Sequence, residues 1–477
     1  MTNSTLAPLV QQLPETVLPH AVAPAFAHWP GLALLESSQQ GALGRYSYLT
    51  ADPFLRVESA GERIRIEWFQ QPHRSTVRRG QPFAVLRDLL AEHALLPAPH
   101  GPPFQGGAVG AFAYDLGRQL EELPSYARCD VPTPEMGLGF YDWVLAHDHH
   151  TSTSWLVTTG LPDGTEASAL ARQTEIIGIL AAWHNRNGAG ESAAAGFRLT
   201  TPLASNVTCE QYLAMVRRAQ EYIAAGDVYQ VNLSQRFAAG WEGSPWALYQ
   251  RLQRESPVPF GAFFDLGERW VASASPERFL HVRNGTVETR PIKGTRPRGR
   301  TLAEDERLAR ELRTSEKDRA ENLMIVDLLR NDLGKVCRPG SIHVPALWQI
   351  EGYSNVWQLV STVTGELRPE ADAVAALEAA FPGGSVTGCP KIRAMEIIEE
   401  LEPVRRGIYC GAIGYLGFDG AMDTSIVIRT LVLTRDRLYL QVGGAVVADS
   451  DPQAEYDETL VKAQAARRVL EGTTSQQ

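Results

Sequence analysis

The chain contains 477 residues, 44% of them hydrophobic and 21% charged, and its formal net charge is −10. This composition predicts a globular protein of two or more domains and excludes general disorder. The acidic balance argues against nucleic acid as a partner, because phosphate backbones attract concentrated positive charge.

Targeting and cysteine patterns exclude further classes of protein. Neither a basic segment followed by an apolar run nor a stretch of about eighteen apolar residues occurs, so we expect a cytoplasmic protein without a membrane partner. The five cysteines are odd in number and lack CxxC spacing, which argues against a disulfide framework or a zinc site. They are Cys129, Cys209, Cys337, Cys389 and Cys410.

Residues 1–183 are predicted to form a β-rich N-terminal domain. Short strand-like segments bounded by turn residues occur at Leu32 to Glu36, Arg45 to Leu49, Arg63 to Phe69 and Ser154 to Thr158. A run of small and polar residues from His184 to Gly196 cannot build a packed core. We therefore predict a linker at 184–200 and a second domain at 201–472.

The second domain begins with a helix whose start is marked chemically. Thr208 and Gln211 have capping-box spacing, an apolar stripe follows, and Gly226 is predicted to end the helix. The next segment, Val228 to Phe237, alternates like a strand with one buried face. Further strands are predicted at Gly261 to Leu266, Trp270 to Ala274, Phe279 to Val282 and Thr286 to Thr289. Pro291 places the last of them at a sheet edge, and the mixed order of elements favours an α+β fold.

The stretch from Arg290 to Gly299 places one lysine, Lys293, among arginines where proline and glycine restrict the backbone. A free lysine amine has a pKa near about 10.4 and is mostly protonated at neutral pH unless desolvation or nearby positive charge lowers that pKa. Arg296 and Arg298 are candidates to provide the charge, so Lys293 is a candidate nucleophile. The alternative for an isolated stretch of this kind is a solvated lysine in a basic turn.

Glutamates on two predicted helices form a candidate Mg²⁺ site. Glu321 lies on a helix face that carries apolar residues, where an unpaired carboxylate would need a partner or a metal. A second helix begins at Asp451 and carries Glu455, Glu458 and Lys462 on one face. For Glu458 with Lys462 alone, an exposed ion pair is the simpler interpretation. Two glutamates from separate helices would suit Mg²⁺, which accepts few carboxylates together with waters and an anionic substrate.

Two glycine-rich turns are candidate anion-binding elements. The first, Phe381 to Lys391, leads into a helix with Pro390 near its first position, so backbone N–H groups would face a bound anion. It lacks the lysine followed by serine or threonine that a P-loop requires. The second, Val442 to Ala445, follows a strand. Together the two turns would suit a substrate with two carboxylates.

Six ordered segments of the second domain resemble the chorismate-utilising enzymes. They are residues 272–277, 291–299, 319–327, 382–394, 411–415 and 455–459. The N-terminal domain matches more weakly, through Leu34 to Ser37 and Arg45 to Ser47. The resemblance implies the fold of that family, an antiparallel β-sandwich flanked by helices.

The resemblance also implies roles for four carboxylates. Glu321 and Glu458 are expected to ligate Mg²⁺, and Glu455 to help through the metal's water shell. Glu277 is expected to act as the general acid that protonates the departing C4 hydroxyl of chorismate. That role requires a carboxyl group kept protonated by burial or by nearby negative charge.

A substrate pocket is implied as well. Its lining is expected to include Thr387, Tyr415, Arg429, Gly443, Gly444 and Lys462. Arg429 has the donors to hold a carboxylate bidentately, whereas packing or surface charge is the alternative role of Tyr415 and Lys462. Gln230 stands where water-adding members of the family carry a lysine base, and an amide cannot remove a proton from water.

The N-terminal segments resemble the tryptophan pocket of anthranilate synthases. The residues that carry this likeness are Glu36, Ser37, Arg45 and Tyr46. Such a pocket can persist in aminodeoxychorismate synthases, so it predicts a bound tryptophan without discriminating between the two activities.

The residue at position 293 separates two branches of the family. Aminodeoxychorismate synthases usually carry lysine there and anthranilate synthases alanine. The resemblance therefore implies amination of chorismate at C4, with Lys293 adding at C2 and departing when ammonia adds, for para-aminobenzoate and folate biosynthesis. Anthranilate synthesis is the first alternative. A non-catalytic paralogue that binds chorismate or tryptophan is the second, and only Gln358, where the family most often has histidine, favours it.

The ammonia must come from elsewhere. The cysteines show no glutaminase-like setting, and 477 residues leave no room for a fused amidotransferase beside the two predicted domains. The resemblance implies a separate glutamine amidotransferase subunit in a heterodimer.

Overall fold

A computed structural model of the chain describes residues 7–41, 43–187, 196–353 and 356–472. The strands in these ranges are β1 (Leu9–Gln12), β2 (Ala33–Glu36), β3 (Tyr46–Thr50), β4 (Leu55–Ala60), β5 (Arg63–Trp68), β6 (Thr76–Arg79), β7 (Gly107–Phe112), β8 (Met136–Tyr141), β9 (Trp143–Asp148), β10 (Thr153–Thr158), β11 (Phe197–Leu199), β12 (Ala204–Ser205), β13 (Gln230–Gly243), β14 (Phe260–Asp265), β15 (Trp270–Ser275), β16 (Arg278–Arg283), β17 (Thr286–Thr289), β18 (Ile292–Pro297), β19 (His343–Gly352), β20 (Val356–Glu366), β21 (Gly388–Cys389), β22 (Ala412–Gly417), β23 (Met422–Ile426), β24 (Thr430–Leu433) and β25 (Arg437–Val446).

The helices surround these strands. The α-helices are α1 (Pro19–Val22), α2 (Pro82–Glu92), α3 (Glu166–Asn187), α4 (Cys209–Ala225), α5 (Pro245–Glu255), α6 (Leu302–Thr314), α7 (Glu316–Gly334), α8 (Ala373–Ala380), α9 (Lys391–Leu401) and α10 (Pro452–Glu471). Short 3₁₀ helices lie at Ala23–Phe26, Pro72–Arg74, Tyr114–Gln119 and Gly384–Val386. In the part of the chain that the structure describes, no helix is both long and apolar enough to cross a membrane.

The strands form two antiparallel sheets. The first has the order β1-β10-β9-β3-β2-β14-β15-β24-β25-β13-β11, with β12 and β21 also paired to β13. The second has the order β18-β20-β17-β16-β23-β22-β7-β8-β4-β5-β6, with β19 paired to β20.

Each sheet combines strands from both predicted domains. In the first sheet Leu35 of β2 pairs with Ala262 of β14, and in the second Gly110 of β7 pairs with Gly414 of β22. The predicted linker, 184–200, overlaps the end of α3 and all of β11, and residues 188–195 lie outside the described residues. Backbone hydrogen bonds between paired strands therefore join residues of 1–183 to residues of 201–472. The division of the chain into these two domains stays a prediction.

The two sheets pack face to face, with the helices outside them. Tyr48 and Val271 of the first sheet share a buried cluster with Val109 and Ile413 of the second. Helices α2, α7 and α8 cover the outer face of the second sheet, and α5 and α10 cover that of the first. Burial of these apolar faces provides the main driving force for folding. The predicted α+β sandwich flanked by helices is confirmed.

Local signals in the sequence have mixed outcomes. Thr208 and Gln211 form the predicted capping box, and Gly226 ends α4 with a φ of 84°, in the left-handed region that favours glycine. The edge position inferred from Pro291 is wrong, because β17 pairs with both β16 and β20. Pro291 lies between β17 and β18, and β18 is the strand at the end of the sheet.

Candidate active site

Lys293 lies on β18, against the glycine-rich turn that precedes α9. Its ammonium donates a hydrogen bond to the carbonyl of Ser385 at 3.3 Å. Burial lowers the pKa of Lys293, whereas the negative charges of Glu321 and Glu277 oppose that change. A partly neutral amine is the state that nucleophilic attack requires.

The predicted source of this activation was wrong in part. Arg296 is paired with Glu311 and Asp318, and Arg298 with Asp305. Their charges are thus largely compensated, and burial is the main cause of the lowered pKa of Lys293.

Glu277 follows β15 and lies beside Lys293. Its side chain is only 6% exposed. Burial raises the pKa of Glu277 to about 7, although the hydroxyl of Ser385 and the backbone N–H of Ile292 donate hydrogen bonds to the carboxylate and Lys293 attracts it. Near neutral pH a substantial fraction of Glu277 therefore carries a proton, as a general acid must.

Glu321 of α7 and Glu458 of α10 approach Lys293 from two helices. Both carboxylates interact electrostatically with its ammonium. Glu321 is partly buried and accepts no hydrogen bond from the described residues, and burial raises its pKa. Partial desolvation would raise the pKa of Glu458, but its ion pair with Lys462 at 2.6 Å brings that pKa below the ordinary value. The side chains of both residues are half exposed, so the exposed ion pair considered from the sequence is present.

Glu455 lies one turn before Glu458 and is 6% exposed. Its Oε1 accepts a hydrogen bond from the Ser450 hydroxyl at 2.7 Å, while its Oε2 is buried without a partner in the described structure. Burial raises the pKa of Glu455. A buried oxygen without a donor is costly, so this carboxylate is suited to a further ligand.

Mg²⁺ is the ion that the sequence analysis predicts for Glu321, Glu455 and Glu458. Among the described residues, no group of three or more His, Cys, Asp or Glu side chains is arranged to hold a metal ion by itself. Mg²⁺ commonly takes one or two carboxylates, several waters and oxygens of an anionic substrate. The buried Oε2 of Glu455, which has no donor in the described structure, is an oxygen that such an ion could use.

The second glycine-rich turn closes this side of the site. The Lys462 ammonium donates a hydrogen bond to the Gly443 carbonyl at 2.9 Å. At Gly444, a Cβ atom would lie 3.1 Å from Glu455 Oε2 and 3.6 Å from Glu458 Oε1. A side chain here would therefore occupy space between the carboxylates and the turn. The structure places Gly443, Gly444 and Lys462 with the predicted metal ligands.

Arg429 is a partly buried cation beside Glu277. It precedes β24 with a φ of 52°, which is unusual for a residue with a side chain. Burial lowers the pKa of its guanidinium against the attraction of Glu277. The guanidinium forms no hydrogen bond or ion pair with another side chain of the described residues, and so it is available to a substrate carboxylate.

Two predicted pocket residues have other contacts. Thr387 is fully buried, and its hydroxyl donates to the Gly383 carbonyl at 3.1 Å, within the turn itself. Tyr415 does not lie beside Lys293, since its ring stacks on Phe104 at 4.4 Å and contacts Tyr48 between the sheets. Strand alternation explains this, because odd-numbered residues of β22 face the sandwich interior.

Two buried amides lack partners in the described residues. Gln230 at the start of β13 is fully buried, and neither its Nε2 nor its Oε1 forms a hydrogen bond. Gln358 on β20 is 2% exposed, and its Oε1 is also unpaired. Since buried polar groups are normally hydrogen-bonded, both amides are candidates to contact a bound ligand.

The sequence did not single out the residues that hold the first turn in place. Asn232 donates to the Ser385 carbonyl at 2.9 Å, beside the bond from Lys293. Arg406 is buried, forms an ion pair with Glu402 at 2.7 Å and donates to the Val386 carbonyl at 2.9 Å. The Asn232 amide and the Arg406 charge therefore position the turn that carries Ser385. The glycine-rich pattern marked this turn but could not identify its distant supports.

A cavity whose lining does not include Lys293 lies between the sheets. Its volume is about 330 Å³, and Glu36, Ser37, Arg45, Tyr46 and Tyr415 all contribute to its wall. The structure thus gathers the four residues of the predicted tryptophan pocket around one space and adds Tyr415 to them.

Two of these four residues, Glu36 and Arg45, have charged or polar partners within the protein. Glu36 accepts a hydrogen bond from the Tyr249 hydroxyl at 2.7 Å and pairs with His20 at 3.0 Å. Arg45 forms a bidentate ion pair with Asp148. The polar wall of the cavity is therefore organised by the protein itself, as is usual for small-molecule sites.

Comparison with known proteins is consistent with this geometry. The family of chorismate binding enzymes matches residues 44–468. Aminodeoxychorismate synthase component 1 of Salmonella typhimurium is 44% identical, over 96% of this chain and 97% of its own length. Anthranilate synthase component 1 of Streptomyces coelicolor is 41% identical, over 91% of this chain and 82% of its own length. The crystal structure of anthranilate synthase component I from Streptococcus pneumoniae matches with a TM-score of 0.77 and 32% identity, over 90% of this chain and 93% of that one.

Proposed function

The chain belongs to the chorismate-binding enzymes, and on this premise we propose that it aminates chorismate at C4 as component 1 of an aminodeoxychorismate synthase. Its identity to relatives with this name reaches 44%, against 41% for an anthranilate synthase component 1. That difference is small, so the residue at position 293 is the observation that carries the proposal. Lys293 is a partly buried amine with a lowered pKa beside a carboxyl group of raised pKa.

The first half of the reaction joins Lys293 to the substrate. The neutral amine adds to C2 of the ring, the double bonds shift, and the C4–O bond breaks. Glu277 gives its proton to the departing hydroxyl, which leaves as water, and becomes a carboxylate. Lys293 is then held to C2 as a secondary ammonium next to that carboxylate.

The second half exchanges the lysine for ammonia. Ammonia adds at C4, the double bonds shift back, and the C2–N bond breaks so that Lys293 leaves as a neutral amine. The new C4 ammonium can return one proton to Glu277, which restores the starting state. Because Lys293 occupies C2, ammonia is directed to C4, and the product is 4-amino-4-deoxychorismate, a precursor for para-aminobenzoate and folate.

The remaining residues bind and orient the substrate. Glu321 and Glu458 would hold Mg²⁺, with Glu455 acting through its waters, and the bound ion would supply positive charge for a carboxylate of chorismate. Arg429 would grip the other carboxylate bidentately. The unpaired amide of Gln230 would donate to or accept from a substrate or ammonia without removing a proton.

Ammonia is proposed to come from a separate glutamine amidotransferase subunit. All five cysteines lie in the described residues, and burial raises the pKa of Cys337, Cys389 and Cys410. A glutaminase nucleophile needs the opposite shift, a lowered thiol pKa.

The cavity lined by Glu36 and Ser37 is proposed to bind tryptophan, since its volume of about 330 Å³ suits one small aromatic molecule.

The decisive experiment identifies the product. The purified chain would be incubated with chorismate, MgCl₂ and an ammonium salt near pH 8, and the products separated by liquid chromatography and identified by mass spectrometry. We expect a non-aromatic amino product that keeps its pyruvyl group. Fluorescent anthranilate with free pyruvate would instead establish anthranilate synthesis, and unchanged chorismate would favour a binding paralogue.

A further inference from the structure

Ser361 of β20 is hydrogen-bonded to two other segments of the second sheet and to α7. Its backbone N–H donates to the carbonyl of Pro291, just before β18, at 3.2 Å. Its hydroxyl donates to Asn322 Oδ1 on α7 and accepts a hydrogen bond from the Trp348 N–H of β19 at 3.0 Å. Both the serine and the asparagine are fully buried. Because Asn322 directly follows Glu321, these bonds tie the helix of a candidate metal ligand to the start of the strand that carries the candidate nucleophile.

Trp348 makes a second contact with the same helix. Its indole N–H donates to the Arg319 carbonyl at 3.2 Å, and the Arg319 guanidinium lies 3.9 Å from the centre of its ring. The φ of Trp348 is 57°, which is strained for a bulky side chain. The register of β19 on β20 also shifts between Ala346 and Gln349, the segment that contains Trp348. Strained residues and bulges of this kind are concentrated at functional sites, where the surrounding contacts hold them.

A third contact brings β18 itself against α7. Gly294, the residue after Lys293, has a φ of 78°, and a Cβ atom there would lie 2.8 Å from both Asp318 Cγ and Leu312 Cδ1. Only glycine permits this conformation and this close approach without strain. The strand of the nucleophile is therefore fixed against the helix within one turn of Glu321.

Packing stability does not account for Asn322. Its Nδ2 is buried and has no hydrogen-bond partner among the described residues. An unpaired buried donor is costly, and an apolar side chain of similar size would avoid that cost. An amide that is present at this cost beside a candidate metal ligand points to a role in the site.

We propose that the Ser361–Asn322 hydrogen bond and the Trp348 contact position the metal ligand of α7 against the nucleophile of β18. This inference rests on the proposed function, in which Glu321 would hold the ion that binds a carboxylate of chorismate while Lys293 adds to the ring. A shift of about 1 Å between the two would move C2 away from the amine, and a misplacement of that size can lower a rate about a hundredfold. The three residues are thus positioning residues that act through Glu321 and Lys293.

The test compares two positioning variants with a matched control. Ser361→Ala removes both side-chain hydrogen bonds of the serine, and Trp348→Phe keeps an aromatic ring but removes the indole N–H. Thr364→Ala removes a hydroxyl further along β20, where the strand pairs with β17 and not with β18. Mn²⁺, which prefers oxygen ligands as Mg²⁺ does, serves as the probe of the metal site without chorismate. Its binding would be measured by electron paramagnetic resonance of the free ion, kcat of C4 amination with an ammonium salt, and the unfolding midpoint in urea.

At a temperature where every variant is folded, we expect Ser361→Ala and Trp348→Phe to raise the dissociation constant for Mn²⁺ at least threefold and to lower kcat at least tenfold. Thr364→Ala should leave both within twofold of wild type. Variants that unfold at lower urea concentration but keep both quantities within twofold would show a merely structural role and overturn the inference.

Two other results would also overturn it, namely equal losses in Thr364→Ala or no binding of Mn²⁺ by the unmodified chain. Failure of the proposed function is distinct, because it would appear as the absence of the C4 product from the unmodified chain. The comparison of Mn²⁺ binding does not depend on turnover and would still decide the positioning.

Discussion

Replacing Glu277 with glutamine is expected to remove a break near pH 7 from the pH dependence of C4 amination. The mechanism needs Glu277 with a proton and Lys293 without one. Burial raises the pKa of Glu277 to about 7 and lowers the pKa of Lys293 from its ordinary value. The two groups therefore titrate closer together than a free glutamate and a free lysine would.

The magnitude follows from these two titrations. Below pH 7, Glu277 stays mostly protonated while the neutral fraction of Lys293 grows about tenfold per pH unit, so the rate rises with that slope. Above pH 7, protonated Glu277 falls about tenfold per unit and cancels the rise until Lys293 itself titrates. In Glu277→Gln the amide does not titrate, so the rise continues past pH 7 from a rate about 10² to 10⁴ lower.

The assay measures C4 amination at low chorismate concentration from pH 5.5 to 9 with free ammonia held constant, since this regime reports groups of the free enzyme. Glu366→Gln is a matched control, because Glu366 is an exposed glutamate at the end of β20. The control should keep the break near pH 7. A break that persists in Glu277→Gln, or a wild-type rate that keeps rising about tenfold per unit beyond pH 8, would refute the role of Glu277.

Four further changes test other parts of the site. Lys293→Ala should lower C4 amination by roughly a hundredfold or more, because the covalent step is lost. Glu321→Gln should raise the Mg²⁺ concentration for half-maximal activity roughly tenfold or more by removing a carboxylate ligand. Arg429→Lys should raise KM for chorismate roughly tenfold, because an ammonium cannot bind a carboxylate bidentately. Arg406→Met should lower the free energy of unfolding, measured with urea, by about 3–5 kcal/mol, because Glu402 is left buried without its partner.

A specific result would contradict each of these four predictions. C4 amination at wild-type rate in Lys293→Ala would exclude the covalent intermediate. Glu316→Gln changes an exposed glutamate on the same helix as Glu321 and should leave the Mg²⁺ dependence unchanged. If Arg429→Lys lowered kcat and left KM unchanged, Arg429 would act on the reaction and not on substrate binding. An unchanged unfolding midpoint in Arg406→Met would mean that the hydrogen bonds from the Ser234 N–H and hydroxyl satisfy Glu402 without the arginine.

Much of the site could be predicted from the sequence because its residues occur in short ordered segments. Glu321 and Glu458 were expected to share a site, and the structure brings both to Lys293. The ends of helix α4 could also be predicted, because they depend on interactions between residues close together in the sequence. The capping box at Thr208 and the helix end at Gly226 depend only on neighbouring residues, and both are present.

Tertiary structure alone decided the properties that depend on distant contacts. Strand pairing is non-local, so the sequence could not show that residues before and after 184–200 share both sheets. Burial is set by the whole fold, so the sequence placed the activation of Lys293 on nearby arginines, whereas desolvation is the larger cause. The same non-local packing places Tyr415 in the wall of the cavity between the sheets. It also places the buried Arg406 where it donates a hydrogen bond to the turn beside Lys293.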